Sequence, residues 1–344
     1  MGFVIDWFLD FWDNAPGGKI SRGIIAALLL MIVVSIPLGF YWSVKPTAFE
    51  PLEEAEAHAT EQGLKSTTGY VSVFTLHRLM DTLLTKPGGY ISNDMLPPGV
   101  VLDNISNWEY GVLVQIRDMA RALRKDFSRS QSQSVEYPAL TIAEPQFHFD
   151  ANSWLLPSSE SQYKEGLEAL DSYLMGLAQP EQSEAQFFAR ADNLNNWLGD
   201  VQTRLGSLSQ RLSASVGQKR LNTDLAGDPD AEQSTKSAKD SEVKTPWLEI
   251  DDVFYEARGS AWALLHILKA IEHDFAPVLD KKNARVSLQQ IIRELEATQD
   301  TVWSPMILNG GGFGLFANHS LVMANYISRA NAAIIDLREL LARG

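Results

Sequence analysis

FFARADNLNNWLGDVQTRLGSLSQRL, residues 187–212, carries Phe187, Ala191, Leu194, Leu198, Val201, Leu205, Leu208 and Leu212 at alternating steps of four and three. This is a 3.5-residue hydrophobic repeat, which a helix satisfies by laying one stripe against another helix, as in a coiled-coil seam. A half-buried strand would instead alternate apolar and polar residues. The chain is therefore read as helical, outward from this seam.

A second ladder follows at Trp247, Ile250, Phe254, Ala257, Ala261, Leu264, Leu268, Ile271 and Phe275. Thr245 is placed to cap it, Pro246 to take the first helical position, and Glu249, Asp251 and Asp252 to complement the positive helix end. The two ladders are similar in length and are expected to pack as an antiparallel pair. Residues 218–245 between them are rich in Asp, Ser, Lys, Ala and Gln. With so few large apolar side chains to bury, they are expected to form a disordered connection.

Other helices are marked by Val73, Leu76, Met80 and Leu83, by Val112, Ile116, Met119, Leu123 and Phe127, and by Tyr163, Leu167, Leu170, Leu174 and Leu177. Ser159 and Gln162 open the last of these as a capping box. A short helix is expected around Leu288, Ile291 and Leu295, and residues 316–341 return to seam spacing. Residues 138–157 resist the pattern, because Pro145, Asn152 and Ser153 interrupt any helix. They are expected to lie as an irregular strap whose Phe147, Phe149 and Trp154 could line a ligand groove. Residues 86–99, bracketed by Pro87-Gly88-Gly89 and Pro97-Pro98-Gly99, form a second irregular element.

Towards the N-terminus, residues 20–42 hold an apolar run with no charge after Arg22. About 20 residues at roughly 1.5 Å each cross a bilayer once. Tyr41 and Trp42 suit an interfacial belt, and no small-residue cleavage site follows, so an uncleaved anchor is expected in preference to a signal peptide. Lys19 and Arg22 precede the span; Lys45 alone follows closely, and then come Glu50, Glu53, Glu54, Glu56 and Glu61. That bias places the N-terminus in the cytoplasm and residues 43–344 in the periplasm. Residues 1–19 set Asp6, Asp10 and Asp13 against Phe3, Trp7, Phe8 and Phe11, an amphipathic segment suited to the cytoplasmic interface. The expected fold is all-α: a single transmembrane helix, then an elongated antiparallel helical bundle with coiled-coil-like seams.

The net charge of −14 makes a poor partner for nucleic acid, whose phosphates must be met by clustered Lys and Arg. The chain has no cysteine, which removes disulfides, thiol catalysis and thiolate metal sites. Among the histidines, only His266 and His273 share a helix face, in a stripe with Tyr255, Trp262 and Lys269. Their seven-residue spacing is not the i, i+4 pair of a helical zinc site, so the stripe is read as a packing or partner-contact face. Asn309-Gly310-Gly311-Gly312-Phe313-Gly314 lacks the Gly-Lys-Ser/Thr ending of a phosphate loop and is read as a tight connection. Asn318, His319 and Ser320 are adjacent on a helix, where side chains point about 100° apart and cannot form a nucleophile–base pair; Asn318 and His319 stay as contact candidates. No catalytic, cofactor-binding or metal-binding residue is assigned, and no cofactor is expected. The expected partners are the lipid bilayer, through residues 20–42, and an envelope protein, with a second copy of the chain as a further candidate.

Leu76-His77-Arg78-Leu79-Met80-Asp81, Pro87-Gly88-Gly89-Tyr90, Leu96-Pro97-Pro98-Gly99, Asn107-Trp108-Glu109-Tyr110-Gly111 and Asn318-His319-Ser320-Leu321 together resemble the bacterial inner-membrane proteins grouped as domain of unknown function 2333. The resemblance covers nearly the whole chain and implies a proteobacterial envelope protein with one N-terminal span. It brings no established activity, so no catalytic residue is carried over. The expected role is a non-enzymatic scaffold or regulator of a cell-envelope assembly. The alternatives are a module binding lipid or cell-wall fragments, and an enzyme acting on envelope polymers.

Overall fold

The computed structural model describes residues 19–131, 134–221, 240–304, 306–311 and 314–343. The expected interfacial segment before residue 19 lies outside the described residues. The fold is all-α. Its helices are α1 (Lys19–Trp42), α2 (Pro51–Glu61), α3 (Tyr70–Thr85), α4 (Asp103–Ala122), α5 (Pro138–Phe147), α6 (Ser159–Ala178), α7 (Ala191–Ser213), α8 (Ile250–Asp274), α9 (Ala276–Lys281), α10 (Arg285–Ala297) and α11 (His319–Ala342). The strands among the described residues, β1 (Gln218–Leu221) and β2 (Asp240–Val243), pair antiparallel with Gln218 opposite Val243.

α8 is the organising element, because residues 257–271 are buried on nearly every side. A helix apolar all round needs neighbours all round. Its closest neighbour is α4, and two glycines explain the approach. A Cβ on Gly111 would come within 2.0 Å of the Glu256 carbonyl oxygen, and one on Gly259 within 2.0 Å of the Trp108 carbonyl oxygen. Only hydrogen fits at either point, so the two backbones touch. α4 and α8 run parallel: Asn107 meets Asp252 near their starts, and Phe127 meets Phe275 just past their ends.

The expected pairing of the two ladders therefore fails. α7 lays its seam along α11 instead, with Arg338 reaching Asn195 and Gln202 across that interface. The reason is that α8 is already claimed by α4, while the stripe Met323, Ile327, Ala330, Ile334, Leu337 and Leu341 of α11 is buried at the same spacing as that of α7.

Two irregular segments also differ from expectation. The ends of the 218–245 connection are an ordered β-ribbon, and its residues 222–239 lie outside the described residues. Residues 138–147 of the strap are helix α5: Pro138 sits in the first turn, where no intrahelical N–H bond is lost, and Pro145 removes one bond only in the last turn. Only residues 148–158 are irregular. α8 begins at Ile250, after a 3₁₀ turn over Trp247–Glu249, so Thr245 and Pro246 lead into that turn and not into the helix. Ser158, one residue earlier than expected, caps α6 by accepting from Ser161 N–H at 3.3 Å.

Candidate functional site

The chain leaving α1 is fastened to the bundle at four points. Trp42 packs its ring on Gly88, which has a positive φ of 87°; a Cβ there would lie 2.8 Å from the indole, so glycine is required for both conformation and contact. Lys45 Nζ lies 4.1 Å above the centre of the Tyr255 ring. Phe49 stacks on His266, centroids 4.1 Å apart, and meets Trp262 edge-on at 6.0 Å. Glu50 receives a 2.9 Å ion pair from Lys269, which also reaches Glu296 at 3.2 Å. Residues 44–50 thus climb α8 from Tyr255 to Lys269.

The hydrogen bonds fix the state of His266. Phe49 N–H donates to Nε2 at 3.0 Å, and Nδ1 lies 2.6 Å from the Trp262 carbonyl, which can only accept. Nδ1 therefore carries the proton and Nε2 is bare, a neutral imidazole with both nitrogens used. Burial disfavours a second proton and lowers its pKa from the ordinary 6.5 to about 4. Burial, with the nearby Arg258 charge, likewise lowers Lys45 to about 8.

The loop under Trp42 is held by groups that the sequence reading missed. Lys86 and Glu109 form an ion pair whose side chains are sealed from solvent. The Glu109 carboxylate also accepts from Ile91 N–H, Ser92 N–H and the Ser92 hydroxyl. At the other end of α8, Asp274 accepts from Gly69 N–H, Ser72 N–H and the Ser72 hydroxyl, capping α3 from outside its own chain segment.

The structure brings Tyr255, Trp262 and His266 together and covers all three with the chain's own residues 45–49. His273 stands apart, beside a cleft lined by Ser66, Thr67, Asp274 and Pro277. Asn318 caps α11 by accepting from Leu321 N–H at 2.9 Å, and His319 Nδ1 accepts from Leu308 N–H at 3.1 Å. His319 also lines a cleft of about 340 Å³ with Phe254, Arg258, Trp303, Val322 and Tyr326. Phe147 is a core residue, Phe149 is half-buried, and Trp154 stands exposed on the following turn. The carbonyls of Phe147 and Phe149 both accept from Arg117 at 2.7 Å, which ties this stretch of backbone to α4.

Residues 17–344 match a family model described as an uncharacterized protein conserved in bacteria, domain of unknown function 2333. The chain belongs to this family. No curated protein and no solved structure matches it. For this member of the family, the clamp between residues 42–50 and α8 is the most built feature among the described residues, and it joins two parts of one chain. Its α8 half was legible as a polar–aromatic stripe. Its other half was not, since Phe49 and Glu50 stand in a short segment with no periodic pattern.

Proposed function

We propose that this protein is a single-span scaffold or regulator of a cell-envelope assembly, anchored by α1 in the bacterial inner membrane with its body on the periplasmic side, and not an enzyme. The observation that carries this reading is the clamp. A body joined to its anchor by a flexible linker is free to reorient, whereas residues 44–50 are bound along α8 and hold the body against the end of α1. Rigid placement suits a part that presents a surface at a fixed orientation. α1 is long and apolar enough to cross a membrane, and only 6% of its apolar 18-residue window is buried in the protein, unlike the core helix of a soluble fold. The seating of Trp42 on Gly88 favours a retained anchor over a removed signal. Lys19 and Arg22 favour a cytoplasmic N-terminus.

A C-terminal alkaline phosphatase fusion should be active and a C-terminal green fluorescent fusion dark; the reverse pattern would put the body in the cytoplasm. Photo-crosslinkers at the exposed Gln290 and Glu339 should each capture the same protein in cells, and capture of none would remove the scaffold reading. A lipid- or glycan-fragment-binding role is the second reading, favoured by the cleft between Phe254, Trp303 and Tyr326.

A further inference from the structure

Among the large apolar side chains left exposed outside α1, one group lies at the end of the bundle from which α1 departs, while others, Val135 and Val286 among them, lie elsewhere. Leu96, Val101, Leu156, Trp247, Trp303 and Leu315 come from four separate segments, and Leu156, Trp303 and Leu315 are each more than nine-tenths exposed, at 91%, 92% and 101%. The contacts between those segments place them together. Residues 95–102 flank α1, where Pro98 and Val101 share a groove with Met31, Ile36 and Gly39. The segment carrying Leu156 is tied to the neighbouring turn by Asn93, which donates to the Ser153 carbonyl at 2.8 Å, and by Tyr90, which donates to the Ala151 carbonyl at 3.0 Å. Trp247 precedes the first turn of α8, which Asn107 joins to the first turn of α4 at 2.8 Å. The segment carrying Trp303 and Leu315 is held to the same end by Arg258, which donates to the Gln299 and Asp300 carbonyls, and by Asn309, which donates to the Ser215 carbonyl.

Leu156 holds a left-handed backbone, φ 32°, with its side chain pointing into open space.

We infer that these side chains form a collar immersed in the interfacial layer of the membrane leaflet beside α1, so that the body rests end-on upon the lipid. The inference depends on α1 spanning the bilayer. The occupant follows from continuity: about 16 Å of helix, at roughly 1.5 Å per residue, separates Met31 from Trp42, and Val101 lies in the same groove as Met31. Whatever surrounds that half of α1 also surrounds residues 97–101. Tryptophan and leucine at this level match the aromatic and apolar composition of the interface. Glu249, Asp251 and Asp252 stand near Trp247, so immersion rests on apolar burial and needs no anionic lipid.

The absence of cysteine gives a clean test. Leu156→Cys, Trp247→Cys, Trp303→Cys and Leu315→Cys are each labelled with a nitrobenzoxadiazole fluorophore, in the full chain, and reconstituted into phosphatidylcholine vesicles containing a shallow spin-labelled lipid. Val135→Cys and Val286→Cys, 92% and 74% exposed at the opposite end, are the controls. Flotation on a density gradient reports the span, and quenching reports the collar. The expected result is flotation of all variants with collar labels quenched roughly twofold or more relative to the controls, unchanged in high salt. Vesicles that float with collar labels no more quenched than Val135 and Val286 would overturn the collar while leaving the span standing. Vesicles that fail to carry the chain would overturn the span, and the collar with it. Circular dichroism of each variant confirms that the bundle is intact.

Discussion

Lys86 Nζ lies 2.6 Å from Glu109 Oε1 inside the bundle, neither side chain reaching solvent, and this pair fixes the turn on which Trp42 rests. Lys86 also donates to the Gly89 carbonyl at 2.7 Å, so the turn is tied at both ends to one carboxylate on α4.

Replacing one partner leaves the other as an uncompensated buried charge, which costs about 3–5 kcal/mol. Glu109→Gln should therefore lower the urea midpoint sharply. Lys86→Met combined with Glu109→Gln should recover part of that loss, since no buried charge is left unpaired and the amide oxygen still accepts from the Ile91 and Ser92 backbone. A single variant as stable as the parent would show that the turn is held by other contacts.

The α4–α8 crossing admits no methyl group. Gly259→Ala would press a carbon onto the Trp108 carbonyl oxygen, and a loss of about 3 kcal/mol is expected, at the upper end of ordinary overpacking. Gly206→Ala in α7 is the matched control: its Cβ would meet only the Asn331 amide nitrogen at 3.6 Å, and it should stabilise by about 0.5–1 kcal/mol through helix propensity. Equal denaturation midpoints for the two variants would contradict the close approach.

His266 is depressed to about 4 from its ordinary 6.5. Its contribution is full above pH 6.5 and is lost as pH falls towards about 4, amounting to roughly 3 kcal/mol at most. Urea unfolding across that window should show a fall in stability that His266→Gln flattens. Asp252 works in the opposite sense: burial, then the charges of Asp103, Asp251, Glu249 and Glu256, raise it to about 6. Its contribution is present below pH 3.8 and is lost as pH rises through 6, so Asp252→Asn should be more stable than the parent at neutral pH.

Residues 44–50 have no secondary structure of their own and depend on the clamp for protection. In membranes or detergent, brief proteolysis should leave this segment uncut in the parent. Trp42→Ala combined with Phe49→Ala should release it for cleavage while the bundle stays resistant. Equal resistance in both would mean that the body shields the linker without these contacts.

The seams of α7 and α11 were legible because a 3.5-residue repeat declares one adhesive stripe on a helix. Which stripe it meets was not legible, since periodicity is silent about partners; Gly111 and Gly259 settled that by letting α4 approach α8 more closely than any side-chain seam could. Helix α5 was hidden by Pro138 and Pro145, two residues that break a helix interior yet are tolerated near its ends. Tyr255, Trp262 and His266 could be placed on one face from spacing alone. Their cover could not, because Phe49 lies over 200 residues away. Residues 86–99 were read only as an irregular element, and nothing in their sequence pairs Lys86 with Glu109.

With α1 in a bilayer, the clamp makes the chain a pillar. α8 starts at the end of the bundle from which α1 departs and runs for 25 residues, about 37 Å at roughly 1.5 Å per residue. The far end, with α9 and the start of α10, is thereby kept at a constant altitude above the membrane surface. Anything engaged there is selected by height as well as by chemistry. Lengthening the bundle by one heptad would lift that meeting plane by about 10 Å.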